Sequence, residues 1–325
     1  MRTGGIILVL VSLFAPAVSG QNVKENILRS VVTVTAEVPP DARTARSLGP
    51  ERAGSGVVID SSGLIVTIGY VILEAMHIQV TGASGNAVRA DFVGYDHPTG
   101  FGLIRAKKSL GANTIELGSA RNLEPGEQLL IASRGTSGEA AQGVYVVSRR
   151  EFAGGWEYLL DNAIFTSPPH PEFGGAALVD SAGRLVGIGS LQVLNAVPDR
   201  QVPGNMFVPI DLLKPILADL ILKGRSTANA RPWLGARTEG VAGRVFVSRV
   251  SKGGPAARAG VEPGDLIVGV DGKPVHGLAE FYRTVWALGA PGVIVPLNVL
   301  KGVKVEEVRV ISGDRYDYLQ LNPSY

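Results

Sequence analysis

The side chains able to do nucleophilic or acid–base chemistry are sparse in this chain. Its 325 residues include no cysteine and four histidines, His77, His97, His170 and His276. Thiolate nucleophiles, thiolate metal sites, iron–sulfur clusters and disulfides are therefore excluded. One segment, Thr166-Ser167-Pro168-Pro169-His170-Pro171-Glu172, sets a hydroxyl, an imidazole and a carboxylate close together, the three group types of a nucleophilic relay. Its prolines hold the backbone extended, and nearness in sequence is not the spatial arrangement a relay requires, so the segment reads as a polar surface loop. A metal site on His170 and Glu172 is disfavoured for a similar reason, because their spacing fits no ligand pattern and no second histidine is near. No metal and no cofactor is expected.

The elements that would position such groups are mostly short strands. From about residue 29 to 210, runs of Val, Ile and Leu are broken at intervals of about eight to twelve residues by turns such as Ser61-Ser62-Gly63, Glu124-Pro125-Gly126 and Ser181-Ala182-Gly183. That is the pattern of an all-β sandwich or a pair of barrels. The 42 glycines and 20 prolines act as turn punctuation rather than as low-complexity tracts. A helix is predicted over 211–223, with Asp211 as its cap, Pro215 in its first turn and Gly224 at its end. Leu212, Leu213, Ile216, Leu217, Leu220 and Ile221 would share its apolar face. The polar stretch 225–231 reads as an interdomain linker. A second unit follows, with strands near 245–250, 266–270 and 293–300 and a tight turn at Asp271-Gly272. It also holds a short helix over 255–259 closed by Gly260, and a longer one over 278–288 with Leu278, Phe281, Tyr282, Val285 and Trp286 at helical spacing.

Residues 1–20 carry Arg2, an apolar run over 6–15 and the small residues Ala17, Val18, Ser19 and Gly20, the pattern of a signal peptide cleaved near Ser19 or Gly20. The run is about half the roughly twenty residues that a bilayer core requires. A periplasmic or secreted protein is expected. With 31 basic against 29 acidic residues and no block of like charge, neither nucleic acid nor an anionic membrane is an expected partner.

Four sequence blocks carry a family resemblance. They are Gly54-Ser55-Gly56-Val57-Val58-Ile59-Asp60 with Gly63 and Thr67 after it, Gly174-Gly175-Ala176-Ala177-Leu178, Gly183-Arg184-Leu185-Val186-Gly187-Ile188, and Trp233-Leu234-Gly235. In this order they resemble the HtrA/DegP-type serine proteases over nearly the whole mature chain. The resemblance implies a mainly β fold: a trypsin-like double β-barrel over 21–225, a linker over 226–231, a PDZ domain over 232–314, and a closing segment 315–325 that is a tail or a docked strand. Carried over position by position, it places Tyr70 where the family has its general-base His, Gly100 where it has the orienting Asp, and Phe173 where it has the nucleophilic Ser. Pro171, which has no N–H, falls where one oxyanion donor belongs. The triad is thus degenerate, and Tyr70 and Phe173 are expected to meet and stack as an apolar plug.

The PDZ sequence runs undamaged through Gly253-Gly254-Pro255, Pro263-Gly264-Asp265 and Asp271-Gly272-Lys273. By resemblance, Trp233, Leu234, Gly235 and Ala236 form a carboxylate-binding loop whose N–H groups receive a peptide C-terminus, with Leu278 and Tyr282 on the opposite wall. The expected function is that of an exported pseudoprotease in envelope protein quality control. It would bind peptide C-termini or unfolded proteins, or regulate an active HtrA-type protease. The alternatives are an active serine endopeptidase and a structural adaptor in an envelope assembly. Family members form trimers, so a homo-oligomer is implied.

Overall fold

A computed structural model describes residues 18–226 and 230–321, with side chains from residue 23 onward. The signal-peptide expectation lies outside the described residues except at 18–20, which open helix α1 (Val18–Ser30). The molecule is mainly β, as expected. Six strands close the first barrel: β1 (Val31–Glu37), β2 (Glu51–Val58), β3 (Leu64–Ile68), β4 (His77–Thr81), β5 (Ala87–Tyr95) and β6 (Phe101–Ala106), in the spatial order β1-β2-β3-β6-β5-β4. Two single helical turns, α2 (Ala45–Leu48) and α3 (Gly69–Ile72), interrupt them. The second barrel takes β7 (Gln128–Gly135), β8 (Gly138–Gly154), β9 (Tyr158–Ser167), β10 (Ala177–Val179), β11 (Leu185–Val193) and β12 (Gly204–Pro209), in the order β10-β11-β12-β9-β8-β7. Closure leaves neither sheet with a free edge. Apolar residues from both barrels, including Val32, Val34, Ile65, Phe101, Phe165 and Val208, join one buried cluster.

The helix expected over 211–223 is broken. A 3-10 turn spans Ile210–Leu212, and only Leu217–Lys223 forms α4. Pro215 explains the break, because it lacks an N–H and disfavours the helical region for the residue before it. The single apolar face is lost with it: Leu213 and Leu220 are buried, but Leu212 and Ile221 are exposed. Gly224 does end the helix, in a left-handed conformation at φ 75°.

The second unit is a five-strand path of β13 (Ala236–Val241), β14 (Arg244–Val250), β15 (Leu266–Val270), β17 (Ile294–Lys301) and β18 (Lys304–Ile311), with the short β16 (Lys273–Pro274) pairing to β15. Helices α5 (Pro255–Arg258) and α6 (Leu278–Ala287) lie where the periodicity placed them. Asp271 and Gly272 turn the β15–β16 hairpin with φ of 51° and 72°, the paired positive angles of a type I′ turn. Residues 227–229 of the linker lie outside the described residues; beyond them the Arg231 guanidinium sits 3.9 Å over the Trp286 ring.

Over its described residues, 315–321, the closing segment is a docked helical turn rather than a strand. It forms α7 (Arg315–Tyr318), which docks on the first barrel. The Tyr316 hydroxyl accepts from the His97 N–H at 2.9 Å and donates to the Tyr95 carbonyl at 3.2 Å. Leu319 is buried beside Leu73 and Tyr95. Among the described residues, no helix is long and apolar enough to cross a membrane.

Candidate functional site

The barrels meet along a cleft built by glycine backbone. The Ser55 N–H donates to the Gly174 carbonyl at 2.7 Å, and the Thr67 hydroxyl donates to the Ser55 carbonyl at 2.7 Å. A Cβ on Gly175 would stand 1.9 Å from the Ser55 oxygen, and its φ is 75°. Only glycine meets both conditions. The sequence blocks around Gly54-Ser55-Gly56 and Gly174-Gly175 therefore hold the two barrels together whatever chemistry the cleft performs.

Tyr70 sits on α3 and points across the cleft, where its hydroxyl donates to the Ser190 carbonyl of β11 at 3.0 Å. Burial pushes its phenol above the ordinary range. The expected stack with Phe173 is not formed: among the described residues Tyr70 makes no ring pair with it. The reason is that the phenol is drawn to a backbone oxygen of the opposite barrel. Gly100 adopts φ 82° in the loop after β5, accepting from the Gly69 N–H at 2.7 Å. The carboxylate nearest to it in sequence, Asp96, is folded back on its own loop, accepting from the Thr99 N–H at 2.9 Å and the Thr99 hydroxyl at 2.7 Å. Phe173 is half-buried, and its carbonyl closes a turn by accepting from the Ala176 N–H at 3.1 Å.

The Ser167-to-Glu172 segment does not assemble as its sequence suggested. The Ser167 hydroxyl turns away to the Pro203 carbonyl at 2.9 Å. His170, expected on the surface, is 3% exposed and meets Ser133 of β7 instead, Oγ to Nε2 at 2.8 Å, with Nδ1 3.1 Å from Gln142 Oε1. Burial lowers the His170 pKa, opposed by the charge of Glu172. Ser133 is 0% exposed, so the pair ties β7 and β8 to the loop before Gly174 rather than facing a substrate.

The groove between β13 and α6 has a different character. Three successive backbone N–H groups converge on one carboxylate: Leu234 and Gly235 donate to Glu157 at 2.9 and 2.8 Å, and Ala236 at 3.2 Å. Glu157 belongs to the turn between β8 and β9 of the second barrel, with φ 59°. One step along β13, the Thr238 N–H donates to the Gly155 carbonyl at 2.8 Å, and the Tyr282 hydroxyl of α6 donates to the Gly154 carbonyl at 2.9 Å. Tyr282 is 1% exposed and also bonds Thr238 Oγ1 at 2.8 Å, while Leu278 is half-buried at the start of α6. Trp233 turns out of the groove: its backbone exchanges two 2.9 Å bonds with Gly313, and its ring lies 4.6 Å from that of Tyr318. Burial pushes Glu157 up to about 7, against the pull of the three N–H groups and of Arg315.

Two family models match the chain. A trypsin-like peptidase domain matches residues 54–188, and a PDZ domain matches residues 232–311. The serine endoprotease DegS of Escherichia coli strain K12 is 30% identical over 269 residues, covering 77% of this chain and 74% of DegS. This chain belongs to the HtrA family of serine proteases. The Do-like HtrA protease of Lactobacillus helveticus is 29% identical over 262 residues, 72% of this chain but only 62% of that protein. A solved HtrA-type protease, AlgW with a tripeptide, shares the fold with a TM-score of 0.56 over 94% of this chain and 98% of its own, at 21% identity.

On the HtrA frame, sequence reasoning missed Glu157, Ser133 and Arg315. Arg315 of α7 donates to the Trp156 carbonyl at 2.8 Å and so braces the turn that carries Glu157. The glycine pair at 154–155 is a turn signal that the sequence offers at this place. Nothing within that turn pointed to the loop that its carboxylate reaches, 77 residues further on.

Proposed function

We propose that this HtrA homologue is an exported pseudoprotease that works as a binding protein, taking peptide C-termini at its PDZ domain. The observation that carries this reading is the set of residues at the four positions where the family keeps its chemistry. Tyr70 cannot serve as the general base, because an ordinary phenol is about one part in a thousand phenolate at neutral pH and burial raises its pKa further. Gly100 offers no carboxylate, Phe173 offers no nucleophile, and Pro171 offers no N–H to an oxyanion. Losing one such donor costs about 10²- to 10³-fold in rate. Losing the triad leaves roughly 10³- to 10⁴-fold over water, and that residue itself depends on the oxyanion hole. Both losses strike the same remnant.

Peptide binding is supported by the PDZ match, by the convergent N–H groups of Leu234, Gly235 and Ala236, and by the solved AlgW structures that hold peptides. Export is supported by the opening twenty residues and by a relative from Bartonella henselae named as a probable periplasmic DegP-like endoprotease. The competing reading, an active endopeptidase, is favoured by the names of the relatives. Its nucleophile would be Ser133, among the described residues the serine whose hydroxyl meets a histidine.

The decisive experiment incubates the purified mature chain with an unfolded reporter protein and reads fragments by mass spectrometry, beside Ser133→Ala and Ser167→Ala variants. The expected result is no cleavage above background in any of the three. Fragments that vanish in either variant would establish a relocated nucleophile and end the pseudoprotease reading.

A further inference from the structure

The PDZ loop holds its carboxylate in a manner that a peptide could imitate. Three consecutive N–H groups aimed at one point form a concave anion site, and leaving them buried and empty would strand three donors. Here they are satisfied from within the chain, by Glu157, which is 5% exposed. Among the described residues no Lys or Arg forms an ion pair with that carboxylate, so backbone donors alone bind it directly. The resemblance goes beyond the carboxylate. The Thr238 N–H of β13 takes the Gly155 carbonyl at 2.8 Å, the kind of main-chain bond that an added strand makes. A Cβ on Gly155 would come within 2.1 Å of the Thr238 oxygen, so the turn can lie this close only because residue 155 is glycine. Leu159, just beyond the turn, is buried with the PDZ core.

We propose that Glu157 is a resident ligand of the PDZ carboxylate loop, and that a peptide C-terminus binds this protein by displacing the turn that carries it. This rests on the reading of the PDZ domain as a receptor for peptide C-termini, and adds that the receptor is occupied in cis. The turn is suited to leave. Its residues 155–157 lie beyond the last paired positions of the hairpin, Gly154 with Tyr158, so withdrawing it does not unzip the barrel. Glu157 holds a left-handed backbone at φ 59°, the conformation that closes a three-residue hairpin loop, so the turn can withdraw as a unit. Its backbone is held by Arg315, which donates to the Trp156 carbonyl at 2.8 Å, and by His97 Nε2, 3.2 Å from the Glu157 carbonyl; the outer fastenings of the hairpin are surface ion pairs, in which Arg283 of α6 reaches Glu151 of β8 and Asp161 of β9, each at 2.5 Å. The occupant that fits the vacated site is an extended peptide with a free α-carboxylate. A closed receptor reports an apparent affinity reduced by the fraction of open molecules.

The test is fluorescence anisotropy on the full mature chain with a labelled peptide ending in Val-COOH, beside the same peptide as its C-terminal amide. It is run on the wild type, Glu157→Ala and Gly155→Val. The first variant vacates the N–H cradle, and the second drives the turn away by a clash, so an effect shared by both is not a folding artefact. Hydrogen exchange at the Leu234, Gly235 and Ala236 amides is measured in parallel. The proposal expects protected amides and weak binding in the wild type. In both variants it expects faster exchange and affinity for the free acid raised about tenfold or more, without a gain for the amide. Equal affinity in all three proteins would overturn the resident ligand and leave the PDZ reading standing. Amides that stay protected in both variants would also overturn it. Amides released in the variants with no binding of the free acid would instead overturn the PDZ reading itself.

Discussion

The cleft between the barrels and the groove of the PDZ domain are both filled by the chain itself, but by different means. Between the barrels Tyr70 bonds across to Ser190, while Phe173, half-buried, and Pro171, exposed, stand in the loop before Gly174. In the groove every N–H that would bind a ligand is intact, and the filling group arrives on a turn from another domain. A function removed by substitution has no local way back, because no movement turns a phenyl ring into a hydroxyl. A function masked by a displaceable contact, as proposed for Glu157, is kept in reserve. On the two proposals above, the two halves of one HtrA scaffold illustrate loss and latency side by side.

The largest effect expected is on the cleft's scaffold. Gly175→Ala places a methyl 1.9 Å from the Ser55 oxygen at φ 75°, and should cost about 3 kcal/mol or more of stability in urea unfolding. A loss under about 1 kcal/mol would mean that the glycines of the cleft do not hold the barrels together. It would also reopen a catalytic explanation for their presence.

A smaller effect sharpens the groove's side of the comparison. Burial raises Glu157 from an ordinary 4.5 to about 7 in the closed state, so closure binds a proton that the open turn releases. The contribution of this group to closure is fully present below about 4.5 and is lost as pH rises through about 7. Peptide affinity of the wild type should therefore increase between pH 5 and 8. The groups facing Glu157 are Arg315 of α7, Tyr282 of α6, Arg237 of β13, which lies over the neighbouring Trp156 ring at 5.9 Å, and His97 before β6. Burial holds the tyrosine neutral and the imidazole well below its usual range. In Glu157→Ala the rise should flatten, and an unchanged slope there would assign it to His97 or another group.

The smallest effect concerns the surface fastening. Arg283→Ala removes two half-exposed ion pairs, together worth about 1 kcal/mol or less. Peptide affinity should rise by no more than about fivefold at low salt, and by less at 0.5 M salt, where such pairs are screened. An effect matching that of Glu157→Ala would shift the latch from the buried carboxylate to the surface.

The sequence by itself determined a good deal. The order of its glycine blocks gave the family and both domains. The turn at Asp271-Gly272 and helices α5 and α6 followed from local chemistry. The apolar periodicity of 211–223 predicts one helix, whereas the missing N–H of Pro215 breaks it. Tertiary structure alone decided that Tyr70 reaches Ser190, that His170 finds Ser133 rather than Ser167, that residues 315–318 form a docked helix, and that Glu157 lies in the PDZ loop. The physical reason is the same in each case. Capping, turn chemistry and periodicity act between near neighbours and leave a mark in their spacing. A hydrogen bond between residues 77 or 120 positions apart leaves none, because it depends on how closed barrels bring their loops together in space.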